Sequence, residues 1–266
     1  MRCYATLVSL LLALAFTPAA VSAETAGGFC DGAHPFALAD DLSGIASPCA
    51  VAPRSFLIET VYLQNASAVG GTALAAYPLV RVRTGLLRRV ELVVDPPSQI
   101  AESQPGGGGL YPPTHFGYGI DYTIAQTSRS AVALQTQVQP PNWRFAPSHN
   151  GQPRYVVGLS SEYLVTRRLS LGVAASGTSS GQVGFERVLP SLSVRAAYAT
   201  SAAIEIATDL GTRIVSRRAV AQSFGDVAVN HRLTKSTFFT VGLGTTFNAV
   251  TNAKAHYLAS GFNFRR

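Results

Sequence analysis

The chain has 266 residues, 47% hydrophobic and 13% charged, with a net charge of +7 and a pI near 9.6. Its Lys and Arg stand singly or in pairs, and no basic run interleaves with aromatics, which argues against a nucleic-acid partner. Beyond the N-terminus no stretch reaches the roughly 18 uninterrupted apolar residues of a spanning helix, so the apolar content is spread over many short segments.

The first 23 residues read as a signal peptide. Arg2 precedes an apolar run over 7–16, then Thr17-Pro18 and the small-x-small site Val21-Ser22-Ala23. Cleavage after Ala23 leaves about 243 residues, a length compatible with one all-β domain. Residues 24–52 carry Gly27-Gly28 and two cysteines but no sustained periodicity. Cys3 leaves with the signal, so Cys30 and Cys49 remain as a pair in an oxidising compartment, and a disulfide is the natural reading. His34, Asp31, Asp40 and Asp41 lie between them without metal-site spacing, so no metal or other cofactor is indicated. The segment reads as a disulfide-tied periplasmic stretch or a partial plug.

From residue 53 to 266 the pattern is that of alternating strands. The first, over 55–64, sets Phe56, Ile58, Thr60 and Tyr62 against Glu59; the second covers 73–83. The third sets Val90, Leu92 and Val94 against Glu91 and Asp95. A long connection rich in Pro and Gly follows, with Gly106 to Gly109 reading as a mobile external loop. The fourth strand sets Phe116, Tyr118, Ile120, Tyr122 and Ile124 against Gly117, Gly119, Asp121 and Thr123. The fifth carries Val132, Leu134 and Val138, and the sixth sets Tyr155, Val157, Leu159 and Tyr163 against Glu162. The seventh begins at Leu169 and dissolves near Gly177. The eighth sets Leu192, Val194 and Tyr198 against Arg195, and the ninth sets Ile204, Ile206 and Leu210 against Glu205 and Asp209. The tenth sets Val227 and Val229 against Asp226, and the eleventh covers 237–247. The last places Leu258, Phe262 and Phe264 on one face and Tyr257, Gly261 and Asn263 on the other.

Twelve strands result, with ten to fourteen compatible because boundaries read from sequence are imprecise. Connections after even-numbered strands are tight, and those after odd-numbered ones are longer or richer in Gly and Pro, except after the eleventh. That sorting points to an antiparallel transmembrane β-barrel of a Gram-negative outer membrane, with tight turns periplasmic and the strand bearing Phe262 and Phe264 closing the wall. A secreted β-sandwich is the competing fold, although Greek-key crossings give no reason to sort loops this way.

The register follows from cost. An Arg or Lys facing lipid near the midplane costs about 2–4 kcal/mol, so Arg81, Arg83, Glu91, Asp95, Asp121, Glu162, Arg195, Glu205, Asp209 and Asp226 are expected to line the lumen, with opposite signs pairing across it. They are read either as a structural network or as a selectivity lining that passes small solutes. Acids outnumber bases among them, a bias toward cations or neutral polar solutes. Outer-membrane lipid and the barrel assembly machinery are the other expected partners. A non-conducting structural or adhesive barrel is the alternative to a channel. An enzyme is not indicated: no His is followed two residues on by Ser, the strand arrangement of outer-membrane phospholipases.

Several segments carry a resemblance. Ser47-Pro-Cys-Ala-Val-Ala-Pro53 before Phe56-Leu-Ile-Glu-Thr60, Tyr77-Pro-Leu-Val-Arg81 with Thr84-Gly-Leu86, Phe116-Gly-Tyr-Gly-Ile-Asp-Tyr122, Val138-Gln-Pro140 and the stretch from Gly225 to Thr234 are short motifs. Together with the stretch from Gly261 to Arg265, they resemble the family of outer-membrane transporters found with the meta-pathway of phenol degradation. The resemblance spans most of the chain after the signal. It implies a barrel of about twelve strands and uptake of small, often hydrophobic or aromatic, compounds. Two features depart from it: the cysteine loop replaces an acidic Arg-Pro-Asp stretch, and Arg266 stands where an aromatic is expected.

Overall fold

The computed structural model describes residues 28–31, 36, 46–67, 73–104, 107–111, 116–140, 153–179, 188–214, 221–248 and 253–266. The signal-peptide reading and most of residues 24–45 lie outside them. The chain forms β1 (Phe56–Ser67), β2 (Ala73–Leu87), β3 (Val90–Asp95), β4 (Gln99–Gln104), β5 (Gly107–Tyr111), β6 (Gly117–Gln126) and β7 (Ser130–Gln139). It continues through β8 (Arg154–Leu164), β9 (Leu169–Ser179), β10 (Val188–Ala199), β11 (Ile204–Ile214), β12 (Ala221–Arg232), β13 (Thr237–Asn248) and β14 (Ala253–Arg265).

The wall is an all-β, antiparallel barrel of twelve strands, with β4 and β5 added to it. β1 pairs with β2 on one side and with β14 on the other, in a register running from Leu57↔Arg265 to Ser67↔Ala255. The backbone amides of Phe56 and Arg266 donate to each other's carbonyls at 2.9 and 3.0 Å. Closure gives each strand of the wall two partners, the condition for a sheet to survive in hydrocarbon.

Side-chain parity explains the two surfaces. Along β11, Ile204, Ile206 and Leu210 are exposed while Glu205, Ala207 and Asp209 are buried, and the same alternation runs along β6, β8 and β12. The outward set is a belt of Val, Leu and Ile, flanked near one rim by Tyr163, Tyr198, Phe262 and Phe264 and near the other by Tyr62, Tyr77, Tyr118 and Tyr155. In water such a surface would be a large aggregation liability. Between aromatic girdles at two interfaces it is the exterior of a membrane barrel.

The rims differ as the loop lengths predict. Turns 88–89, 127–129, 165–168, 200–203 and 233–236 share one rim with both ends of the wall. In four of them a hydroxyl caps the turn: Thr127, Thr166, Ser201 and Thr234 accept the backbone N–H two residues on, at 3.1–3.2 Å. This local bond stabilises a short reversal without help from the loop's surroundings.

The Gly-rich connection corrects the reading of an external loop. β4 pairs with the upper part of β2, Ala73↔Ser103 to Tyr77↔Gln99, and β5 folds back on β4. β3 is only six residues long, so β2 outruns it and β4 takes up the edge left free. A Cβ on Gly108 would lie 2.6 Å from the Glu102 carbonyl oxygen, so the hairpin needs a glycine at that position. β9 likewise runs on to Ser179.

Candidate functional site

The interior near the turn-bearing rim is occupied by the chain's own N-terminal part. Residues 46–53, here called the strap, run inside the barrel with Cys49 and Val51 almost wholly buried. Cys30 is joined to Cys49 by a disulfide with the Cα atoms 5.3 Å apart. Phe29, in a 3-10 turn over Phe29–Asp31, packs with Cys49 against Ala131 and Leu164 of the inner wall. Its amide donates to the Thr127 carbonyl at 2.7 Å. Phe36 meets Phe238 edge-on, with centroids 5.7 Å apart. The segment thus touches the inner wall at β7 and β8 through Phe29 and at β13 through Phe36.

Polar groups of the wall hold the strap. Arg83 on β2 donates from Nε to Glu91 Oε1 at 2.8 Å and from Nη2 to the Cys49 carbonyl at 2.7 Å. Glu91 on β3 accepts the Val51 amide on its other oxygen at 2.7 Å. On β6, Thr123 donates to the Pro48 carbonyl and accepts the Ala50 amide, at 3.0 and 3.1 Å. Glu59 on β1 lies 3.9 Å from Arg83. Glycine matters at one point of this contact: a Cβ on Gly85 would stand 2.1 Å from the Ala52 carbonyl oxygen, so only glycine lets the strap leave along β2.

A second polar group spans the opposite wall. Arg195 on β10 faces Asp209 in the strand register but donates to Glu205 at 3.1 Å. Asn230 donates to the same Glu205 oxygen at 3.0 Å and accepts from Thr240 at 2.8 Å. Asp209 and Asp226 are direct cross-strand neighbours, an unfavourable pairing of like charges. Tyr257 on β14 reaches over Gly244 and donates its hydroxyl to Asp226. Glu162 is buried on β8.

The remaining predicted lining residues fall into the first group. Arg81 forms a two-point ion pair with Asp95, at 2.9 and 3.1 Å, and Gln137 donates to Asp95 as well. Asp121 faces Glu91 in the β3–β6 register. The expected pairing across the lumen is corrected. Arg81–Asp95, Arg83–Glu91 and Arg195–Glu205 each join strands that are hydrogen-bonded neighbours, because adjacent strands bring inward side chains far closer than opposite walls do.

Further inward side chains stand beside the predicted lining. Glu59, Gln135, Gln137, Asn230 and Tyr257 lie on the inner face, as the alternation of their strands indicates, whereas Thr240 was missed, though the same parity extended along β13 finds it. Arg213 was also missed. It donates to Gln222 at 2.8 Å and borders a cavity with Gln135, Ser176, Ser191, Ser193 and the strap's Ala46. With Glu59 and Arg213 both counted, the acidic excess of the lining is unchanged.

No protein-family model matches the chain, and no curated protein matches it. Solved structures do match. An outer membrane channel from Pseudomonas putida F1 aligns with a TM-score of 0.63 at 11% identity, covering 82% of this chain and 97% of that one. The NanC porin aligns with a TM-score of 0.51 at 11% identity, covering 77% and 98%. At this identity the likeness is one of fold: a closed outer-membrane-type barrel.

Proposed function

We propose that this barrel is a passive channel of a Gram-negative outer membrane for small polar solutes, with its periplasmic mouth occupied by the strap. The observation that carries the reading is the inner face. Along the long strands it mixes Ser, Thr, Asn, Gln, Gly and charged residues with Ala, and larger apolar groups such as Leu57, Leu164 and Phe238 gather near the strap, while the outer face is dominated by Val, Leu, Ile and aromatics. A lining of this kind can exchange hydrogen bonds with a hydrated solute. It supports polar cargo over the hydrophobic compounds that the sequence resemblance implies. The predicted lumen charges then act as selectivity groups, and membrane lipid and the assembly machinery are the partners such a barrel needs.

A second reading, a non-conducting structural barrel, is favoured by the strap itself, whose buried contacts reach several parts of the inner wall. Planar-bilayer recordings separate the two. The full-length protein should conduct poorly, and deletion of residues 24–52 should raise single-channel conductance several-fold and allow liposomes to swell in a neutral sugar. If the deleted form inserts and passes neither ions nor sugar, the channel reading fails and the structural one stands.

A further inference from the structure

The rim that carries the tight turns is cationic. Arg88, Arg89, Arg129, Arg167, Arg168 and Lys235 occupy four of its five turns, and Arg54, Arg265 and Arg266 stand where the wall begins and ends. All nine are exposed, and they are nine of the chain's 21 Lys and Arg. None of the five turns contains an Asp or Glu. In the barrel interior, by contrast, Arg81, Arg83 and Arg195 are each matched to a carboxylate.

The placement of these cations is fixed by the fold. Hydroxyl caps tighten the turns at Thr127, Thr166 and Thr234, which ties Arg129, Arg168 and Lys235 to short reversals close to the wall. Directly beside them on the outer surface lie Tyr163, Tyr198, Phe262 and Phe264, with Phe264 against Phe56 and Phe262 against Phe239. Such aromatics sit at headgroup level, so the guanidinium groups, a few residues further on, lie at the phosphates.

We infer that this rim is a docking surface for acidic phospholipid headgroups, the phosphodiester anions of the leaflet in which the turns lie. The inference rests on the outer-membrane reading above. A guanidinium offers a phosphate two parallel N–H donors, and each cation held near an anionic surface is expected to favour it by about fivefold. Turns without acids concentrate that preference on one edge of the barrel, selecting its lipid neighbours and fixing its height in the bilayer.

The test uses the full-length protein in nanodiscs of phosphatidylcholine with a minor share of phosphatidylglycerol. Lipid retained after gentle detergent extraction is counted by native mass spectrometry. The expected result is several-fold enrichment of phosphatidylglycerol, falling toward the bulk ratio at high salt and in the R88Q/R89Q/R167Q/R168Q variant. Lys at the same four positions should keep most of the enrichment. Insertion without enrichment, or equal enrichment in the Gln variant, overturns the inference and leaves the barrel intact. Salt-sensitive binding of polyglutamate in detergent, without any phospholipid preference, would assign the rim to an acidic polypeptide and overturn it too. Failure of the wild type to insert into this bilayer defeats the outer-membrane reading itself. Salt dependence in the wild type keeps the test decisive if the fourfold variant does not fold.

Discussion

Arg83 is the side chain on which wall and strap both depend. Its guanidinium is 1% exposed and serves Glu91, Glu59 and the Cys49 carbonyl together. Removing it leaves Glu91 buried without its cation, a change that typically costs about 3–5 kcal/mol. Arg83→Ala is therefore expected to lower the urea midpoint of the folded barrel, followed by heat-modifiable gel migration. Arg83→Ala/Glu91→Ala should lose less than the sum of the two single changes, because the second removes the charge that the first leaves alone. Most of this cluster was readable beforehand: parity placed Arg83 and Glu91 on the inner face. What parity could not supply was the partner. Whether an inward Arg meets a neighbouring strand or the far wall depends on register and barrel width, and neither is written in one strand's alternation.

At the scale of the element, strands whose outer face meets hydrocarbon were legible because the environment enforces alternation without relief. β6, β11 and β12 carry that pattern almost residue by residue. β4 and β5 were not legible, since Gly107–Gly109 offers no side chains to alternate and the hairpin exists only through the edge of β2. The strap was opaque for a related reason: it has no periodicity, and its place is set by Arg83, Glu91 and Thr123 on three other elements. Gly85 gives a way to test that seat. Any side chain there collides with the backbone of residues 51 and 52. Gly85→Val is therefore expected to eject the strap while the wall stays closed, read as faster proteolysis within residues 46–55 and raised conductance at unchanged barrel migration.

For the whole molecule, the balance of fixed charge decides which ions an opened lumen favours. Arg195 is the only cation among the predicted lining on the β8–β14 side, where Glu162, Glu205, Asp209 and Asp226 gather. In the strap-deleted form, Arg195→Gln is expected to shift the reversal potential in a salt gradient further toward cation selectivity. An unchanged reversal potential would place the selective constriction elsewhere. Parity and loop lengths made the barrel and its strand number legible; the solute was not, because it answers to the few side chains that come together at the narrowest point.

The strap's attachment sets how this mouth could clear. The strap joins the wall through the bends at residues 52–55, where Arg54 donates to the Gly85 carbonyl and Ser55 to that of Ala52. The strap is tied to the 3-10 turn that bears Phe29 by the Cys30–Cys49 bond. Pulled from its seat, the strap swings about those bends with the Phe29 turn still attached through Cys30, like a stopper on a short chain. Reduction of the disulfide would turn it into a loose thread that can be drawn out a residue at a time. The same chain would then have an abrupt passage in the oxidised form and a graded one in the reduced form.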